Sequence, residues 1–252
     1  MALIDWRIKK KLSVFLIVAV VMALFVFLYV YKSLPNPSCS DNKQNQSEEG
    51  VDCGGLCEQC VVAPKDIITL WTRVFELKGG VYEVASLIQN PNLFYGLSKV
   101  KYSFKLYDSQ NVLVAAKEGE TFIGPQDKFV IFATDIKTGT RKPQKADVEI
   151  AYVSKWQYIE QKMLPLVVSQ KKFSNIPFAS LEAKLVNSSL GAVQNIEVAA
   201  VLYDKDGNAF GASLSKIDSV EGQSSRSVVF TWPSSFTTEP VSSEIFTRTK
   251  VF

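Results

Sequence analysis

Apolar positions along this chain follow two regimes. From Leu12 to Tyr31 they are continuous: LSVFLIVAVVMALFVFLYVY holds twenty residues with no charge, Gly or Pro. At a rise of about 1.5 Å per residue, such a helix spans a hydrocarbon core roughly 30 Å thick. From Val61 onward the apolar positions alternate. In Val100–Leu106, Val100, Tyr102, Phe104 and Leu106 share one face, while Lys101, Ser103 and Lys105 share the other. That period of two is the mark of a half-buried strand. The spacing predicts further strands at Ile67–Leu77, Val81–Gln89, Val112–Glu118, Lys128–Ala133 and Asp147–Trp156. A second set is expected at Leu164–Ser169, Ala179–Val186, Val193–Tyr203, Ala209–Lys216, Arg226–Trp232 and Ser243–Phe252. Turn residues separate them: Gly79-Gly80, Asp108–Asn111 and Asp206-Gly207, the last among the strongest hairpin signals.

The two sets repeat one another. Val84–Asn90 corresponds to Leu181–Asn187, Leu106-Tyr107-Asp108 to Leu202-Tyr203-Asp204, Val130–Phe132 to Val228–Phe230, and Glu149-Ile150 to Glu244-Ile245. The offsets of 97, 96, 98 and 95 are a domain length, so a tandem duplication is expected rather than a solenoid. About six or seven short strands per copy without a long helical pattern read as two Ig-like β-sandwiches, an all-β ectodomain. The copies differ on one face. Opposite Ile196, Val198, Ala200 and Leu202, the second copy carries Glu197, Ala199, Val201 and Tyr203, where the first is mostly polar. A neighbour, and the first repeat in particular, is expected to cover that face.

Phe104-Lys-Leu106-Tyr107-Asp108 resembles the motif that names the FxLYD domain, and the resemblance runs over residues 65–252. Asn90 and Asn187 stand where that family commonly ends its second strand with Asn. The second copy matches in Leu202, Tyr203 and Asp204 but has Ala200 in place of the Phe, so other side chains must fill a ring's volume. The resemblance implies small extracytoplasmic β-sandwiches of bacterial and archaeal envelope proteins, and it brings no catalytic residues with it.

Charge gives the apolar run a direction. Four of the 28 basic residues and one of the 25 acidic ones fall within the first 31 positions, and the remainder balances at 24 of each. Arg7 and Lys9–Lys11 beside the run place residues 1–11 in the cytoplasm by the positive-inside rule, and residues 32–252 outside. The run exceeds a cleaved signal's apolar region, no A-x-A site follows it, and Cys39 lacks the Leu that precedes an acylated cysteine, so a retained single-pass anchor is expected. The neutral ectodomain offers no basic field for nucleic acid. The chain has no histidine, which removes Ser-His and Cys-His nucleophile pairs and the commonest metal ligand.

Pro35 and Pro37 begin a stalk, and all four cysteines follow: Cys39, Cys53, Cys57 and Cys60. The intervening segment, SDNKQNQSEEGVD, has almost nothing to bury, so cross-links or a metal must hold it. Two disulfides fit an oxidising compartment, in any of three pairings, and zinc on the four sulfurs is the alternative. Asp41, Asn45, Glu48 and Asp52 recur every three or four residues; they are candidate calcium ligands, or else Asx-turn residues that solvate the loop. The string Cys39–Cys60, with its core Gly50-Val51-Asp52-Cys53-Gly54-Gly55-Leu56-Cys57 and a final C-x-x-C to Cys60, resembles a short module of bacterial surface proteins, with Asn42 and Gln46 where Gly is usual.

The expected organisation is a cytoplasmic tail (1–11), an anchor (12–31), a stalk and cysteine module (32–63), and sandwiches at 64–158 and 159–252. The expected function is non-catalytic: a membrane-anchored structural or binding protein of the cell envelope with protein or glycan partners. The alternatives are an anchored subunit of a secretion or pilus assembly and, more distantly, a carboxylate-dependent enzyme.

Overall fold

The computed structural model describes residues 6–33, 39–45, 47–58, 63–77, 79–159 and 164–250. It divides into two compact units, Met1–Ala63 and Pro64–Phe252. In the first, α1 runs Trp6–Ser33, and its stretch Ile8–Lys32 is long and apolar enough to cross a membrane. Between Leu12 and Tyr31 it is apolar all round, with large side chains such as Phe15, Leu16 and Phe25 exposed on its surface.

The second unit is all β. Its strands are β1 (Ile68–Glu76), β2 (Val81–Gln89), β3 (Tyr95–Tyr107), β4 (Leu113–Ile123), β5 (Lys128–Lys137), β6 (Lys145–Tyr152) and β7 (Gln157–Tyr158). They continue as β8 (Leu166–Ser174), β9 (Ser180–Asn187), β10 (Val193–Tyr203), β11 (Ala209–Val220), β12 (Ser225–Thr231) and β13 (Ser242–Arg248). The first copy pairs β1-β2-β5 in one sheet and β4-β3-β6 in the other, with the short β7 beside β3. The second pairs β8-β9-β12 and β11-β10-β13. The orders are the same strand for strand, and every pairing is antiparallel.

Each copy encloses its own core. Val84, Ile88, Leu97, Phe104, Leu106, Ile123, Phe129 and Ile131 meet between the first two sheets. Leu181, Leu185, Ile196, Val198, Ala200, Leu202, Val228, Phe230 and Trp232 do so in the second. Phe104 and Ala200 are both fully buried. Trp232, just past β12, supplies ring volume to the second core and donates its indole N–H to the Ala212 carbonyl at 3.0 Å.

The pairings correct two correspondences expected from sequence. Aligning Val130 with Val228 puts them on the same face, but Val130 points away from its core and Val228 into it. The cross-strand partners settle the register: Ser86 faces Ile131 as Ala183 faces Val228, so the true offset here is 97, not 98. A slip of one residue exchanges the two faces of a strand. On β6 and β13 the partners Lys105–Asp147 and Val201–Glu244 likewise align Asp147, rather than Glu149, with Glu244.

Buried polar devices recur in both copies. Asn90 donates to the carbonyls of Tyr95 and Gly124 at 2.7 Å each, and its Oδ1 accepts the Asn92 N–H at 3.0 Å. Asn187 donates to Gly191 at 2.8 Å and Val220 at 2.9 Å, and accepts the Ser189 N–H at 3.0 Å. Each ties the end of its strand to the next strand and the following hairpin. After the strands β3 and β10, Asp108 accepts the N–H groups of Gln110 and Val112, and Asp204 those of Asp206 and Asn208. These local bonds are what a short carboxylate does best in a turn.

Candidate functional site

The cysteine module shows what holds a segment without a core. Cys39 and Cys57 form a disulfide with Cα atoms 5.5 Å apart. Cys53 is also disulfide-bonded, and Cys60 lies outside the described residues. The Sγ atoms of Cys39 and Cys57 lie within 4.8 Å of a Glu48 carboxylate oxygen, a grouping that resembles a metal site. The two sulfurs are bonded to each other, so neither is a thiolate ligand. Disulfide formation at these two positions takes the place of the zinc alternative.

Backbone shape explains the Gly-Gly pair. Gly54 and Gly55 have φ of +79° and +62°, and a Cβ on Gly55 would lie 2.4 Å from the Ser47 carbonyl oxygen. Asn42, which stands where the resembling module has Gly, takes φ of +55°, a left-handed conformation that Asn tolerates. Gln46 lies outside the described residues.

The four candidate calcium ligands are gathered in one loop, where the carboxylates of Asp41, Glu48 and Asp52 accept bonds from the loop itself. Asp52 accepts the N–H groups of Asp41 and Asn42 at 2.9 Å each. Asp41 accepts the Lys43 N–H at 3.0 Å and the Asn45 side-chain amide at 2.9 Å. Glu48 is buried, and its Oε2 accepts the N–H groups of Asn45 at 3.1 Å and Asp52 at 3.3 Å. Its Oε1 lies 3.3 Å from Cys57 Sγ, which carries no hydrogen once oxidised. Asn45 Oδ1 is buried without a partner. Glu48 thus acts as the polar hub of the module.

A second candidate region lies at the seam between the sandwiches, which no single strand announces. Ala85, Leu87 and Val130 from the outer face of β1-β2-β5 meet Ala199, Val201, Ala209 and Ala212 from the outer face of β11-β10-β13. Trp71, Phe75, Phe132, Tyr203 and Phe246 pack around them. Arg248 closes one side. It pairs with Glu197 at 2.7 Å and donates to the Phe122 carbonyl at 2.9 Å and to Thr121 Oγ1 at 2.8 Å. Its guanidinium stands 4.4 Å and 4.2 Å from the ring centroids of Phe122 and Phe129. Flat, always charged and rich in donors, Arg suits such a stacked, bidentate position. Tyr203 donates to Glu244 at 2.9 Å; burial first, and that bond second, raise its hydroxyl pKa.

Where the seam opens there is a groove of about 410 Å³. Phe75, Glu76 and Glu83 line it from the first sandwich, and Phe210, Trp232 and Phe236 from the second. The Phe210 and Phe236 rings meet edge to face at 5.0 Å, and Trp232 and Phe236 at 5.6 Å. A Cβ on Gly211 would come 2.9 Å from Phe236 Cζ, so the bare glycine lets the ring lie against β11. Glu76 pairs with Lys142 at 3.2 Å. Glu83 is half-buried, and burial alone raises its pKa. Phe75 and Glu83 fall in strands that the alternation predicts and pair across them, but the groove depends on a seam that joins residues more than a hundred positions apart.

No protein-family model matches the chain, and no curated protein matches it.

Proposed function

We propose that this chain is a single-pass membrane-anchored protein of the cell envelope, non-catalytic, whose extracytoplasmic part presents a stiff double sandwich for binding or structural contact. One observation carries the reading. A 25-residue helical stretch, Ile8–Lys32, long and apolar enough to cross a membrane and with Lys9–Lys11 at its start, precedes an all-β unit whose copies are packed together. The helix presents its side chains outward all round, as a lipid-facing span does. The Cys39–Cys57 disulfide supports an oxidising compartment for the segment after the helix. Tandem sandwiches of the FxLYD type, which Phe104-Lys-Leu106-Tyr107-Asp108 resembles, fit the same place.

Protease applied to intact cells carrying a C-terminally tagged chain tests the orientation. Loss of the tag with retention of an N-terminal tag is expected. Protection of the C-terminal tag, with cleavage only after lysis, would overturn the reading.

A further inference from the structure

The groove at the seam has the properties of a small-ligand site. Its volume of about 410 Å³ falls within the range of roughly 300–1,000 Å³ found for such sites, and clefts between domains are where they concentrate. Its walls are aromatic: Phe75, Phe210, Trp232 and Phe236. Its charged lining groups are two carboxylates, and no basic side chain lines it among the described residues.

The two carboxylates differ. Glu76 is exposed and answered by Lys142 at 3.2 Å. Glu83 sits directly across from Phe75 on β2, half-buried, and neither a charge nor a hydrogen bond among the described residues offsets its burial. A partly desolvated carboxylate beside aromatic faces favours a cation that brings its own apolar stem. A sugar fits less well. Its hydroxyls need several polar partners, yet the groove offers Ser234 and the two carboxylates, and the Trp232 indole N–H is committed to Ala212. A metal ion fits less well again, because Glu76 and Glu83 join no group of three ligating side chains among the described residues.

We infer that the seam groove binds an organic cation, an alkylammonium or alkylguanidinium group, with its charge at Glu83 and its stem against Phe75 and Phe236. The chemistry is shared by a free polyamine and by a Lys or Arg side chain of a partner polypeptide. The inference rests on the reading of the double sandwich as a binding module, but not on its orientation across a membrane.

The test uses the full chain in neutral detergent with its four tryptophans labelled with ¹⁵N at the indole. Three cationic probes are titrated: n-butylguanidinium, spermidine and N-acetylarginine amide. The uncharged isostere n-butylurea serves as control. A saturable shift of the Trp232 indole resonance is expected with n-butylguanidinium and not with n-butylurea. Glu83→Gln, which keeps shape and removes charge, should weaken binding by about tenfold or more. Gly211→Ala should weaken it too, by pushing Phe236 into the groove. Thermal unfolding of both variants confirms that each is folded, and Phe75→Leu replaces either one that is not. Tighter binding of spermidine assigns the site to a free polyamine, and tighter binding of N-acetylarginine amide to a polypeptide side chain. No saturable shift with any cation, an equal shift with n-butylurea, or unchanged affinity in Glu83→Gln would overturn the inference. Because binding is read on purified chain, its failure is separate from a failure of the protease experiment.

Discussion

The central strands β3 and β10 occupy the same place in their sandwiches and meet opposite surroundings. On β3 the outward residues are Lys101, Ser103 and Lys105, with Glu120, Glu118 and Ala116 beside them on β4 and Ala151, Glu149 and Asp147 on β6. Lys101 reaches Glu120, and Lys105 reaches Glu149, on a surface open to water. On β10 the equivalent outward residues are Glu197, Ala199 and Val201, with Lys216, Leu214 and Ala212 beside them on β11 and Arg248, Phe246 and Glu244 on β13, so charge is kept at the two ends and the middle is apolar. Val201 is fully buried there, against the first sandwich. The reverse holds on the other sheets. Outward Ala85 and Leu87 of β2 are buried at the seam, where β9 carries Glu182 and Lys184. One fold thus appears twice with complementary faces switched on, so the copies join head to tail. Their remaining outer faces carry charged residues, among them Lys101 and Lys105 on β3 and Glu182 and Lys184 on β9.

This contrast can be broken most severely at Val201. Val201→Lys installs on β10 the charge that β3 carries at Lys105, but inside the seam. Forcing a charge into this packed seam costs about 3–5 kcal/mol. Chemical denaturation should show that loss, whereas Lys105→Val on the solvent face should change stability by no more than roughly 0.5 kcal/mol.

Arg248 comes next. Its side chain is 10% exposed, and its partner Glu197 25%. Arg248→Met strands Glu197, leaving it Lys216 at 3.7 Å, and removes the bonds to Thr121 and the Phe122 carbonyl. A loss of about 2–5 kcal/mol is expected from unpairing such a group at an interface. Proteolysis should then cut between the sandwiches faster than in the parent chain.

Tyr203→Phe is milder. It removes the bond to Glu244 at 2.9 Å but keeps the ring in the seam, so about 1 kcal/mol is expected in the same denaturation measurement. The equivalent Tyr107→Phe, away from the seam, should be close to neutral, which sharpens the comparison.

The smallest effect is one the copies share. Backbone N–H groups, first that of Val112 on Asp108 and that of Asn208 on Asp204, hold both carboxyls below their ordinary pKa. Their folded pKa is depressed, so their contribution is present above the unfolded value near 3.9 and is lost as pH falls through the folded value. The stability of the parent should therefore decline below about pH 4. In Asp108→Asn and Asp204→Asn that part of the decline should vanish when melting temperature is followed against pH.

The parts of this fold that depend on local pattern were legible in the residues. The run Leu12–Tyr31 marks α1, alternation marks β3 and β10, and Gly79-Gly80 and Asp206-Gly207 form turns with positive φ at Gly79, Gly80 and Gly207. The apolar outward face of β10 announced that something must cover it, and the first sandwich does. What needs more than local pattern was not legible. Val130-Ile131-Phe132 are all apolar, so periodicity could not say which of them points inward, and the expected register was one residue off. Cysteine spacing allows three pairings, and only the folded loop brings Cys39 to Cys57. Arg248 reads as one charge near a terminus, yet its partners Thr121 and Phe122 lie 127 and 126 positions away.

The stacking of the two copies into one cooperative body is tested most directly by scanning calorimetry of the full chain in neutral detergent. One unfolding transition is expected for the β unit, its calorimetric enthalpy equal to its van't Hoff enthalpy, and Val201→Lys should split it in two. Two separate transitions in the parent chain, unchanged by Val201→Lys, would contradict the account.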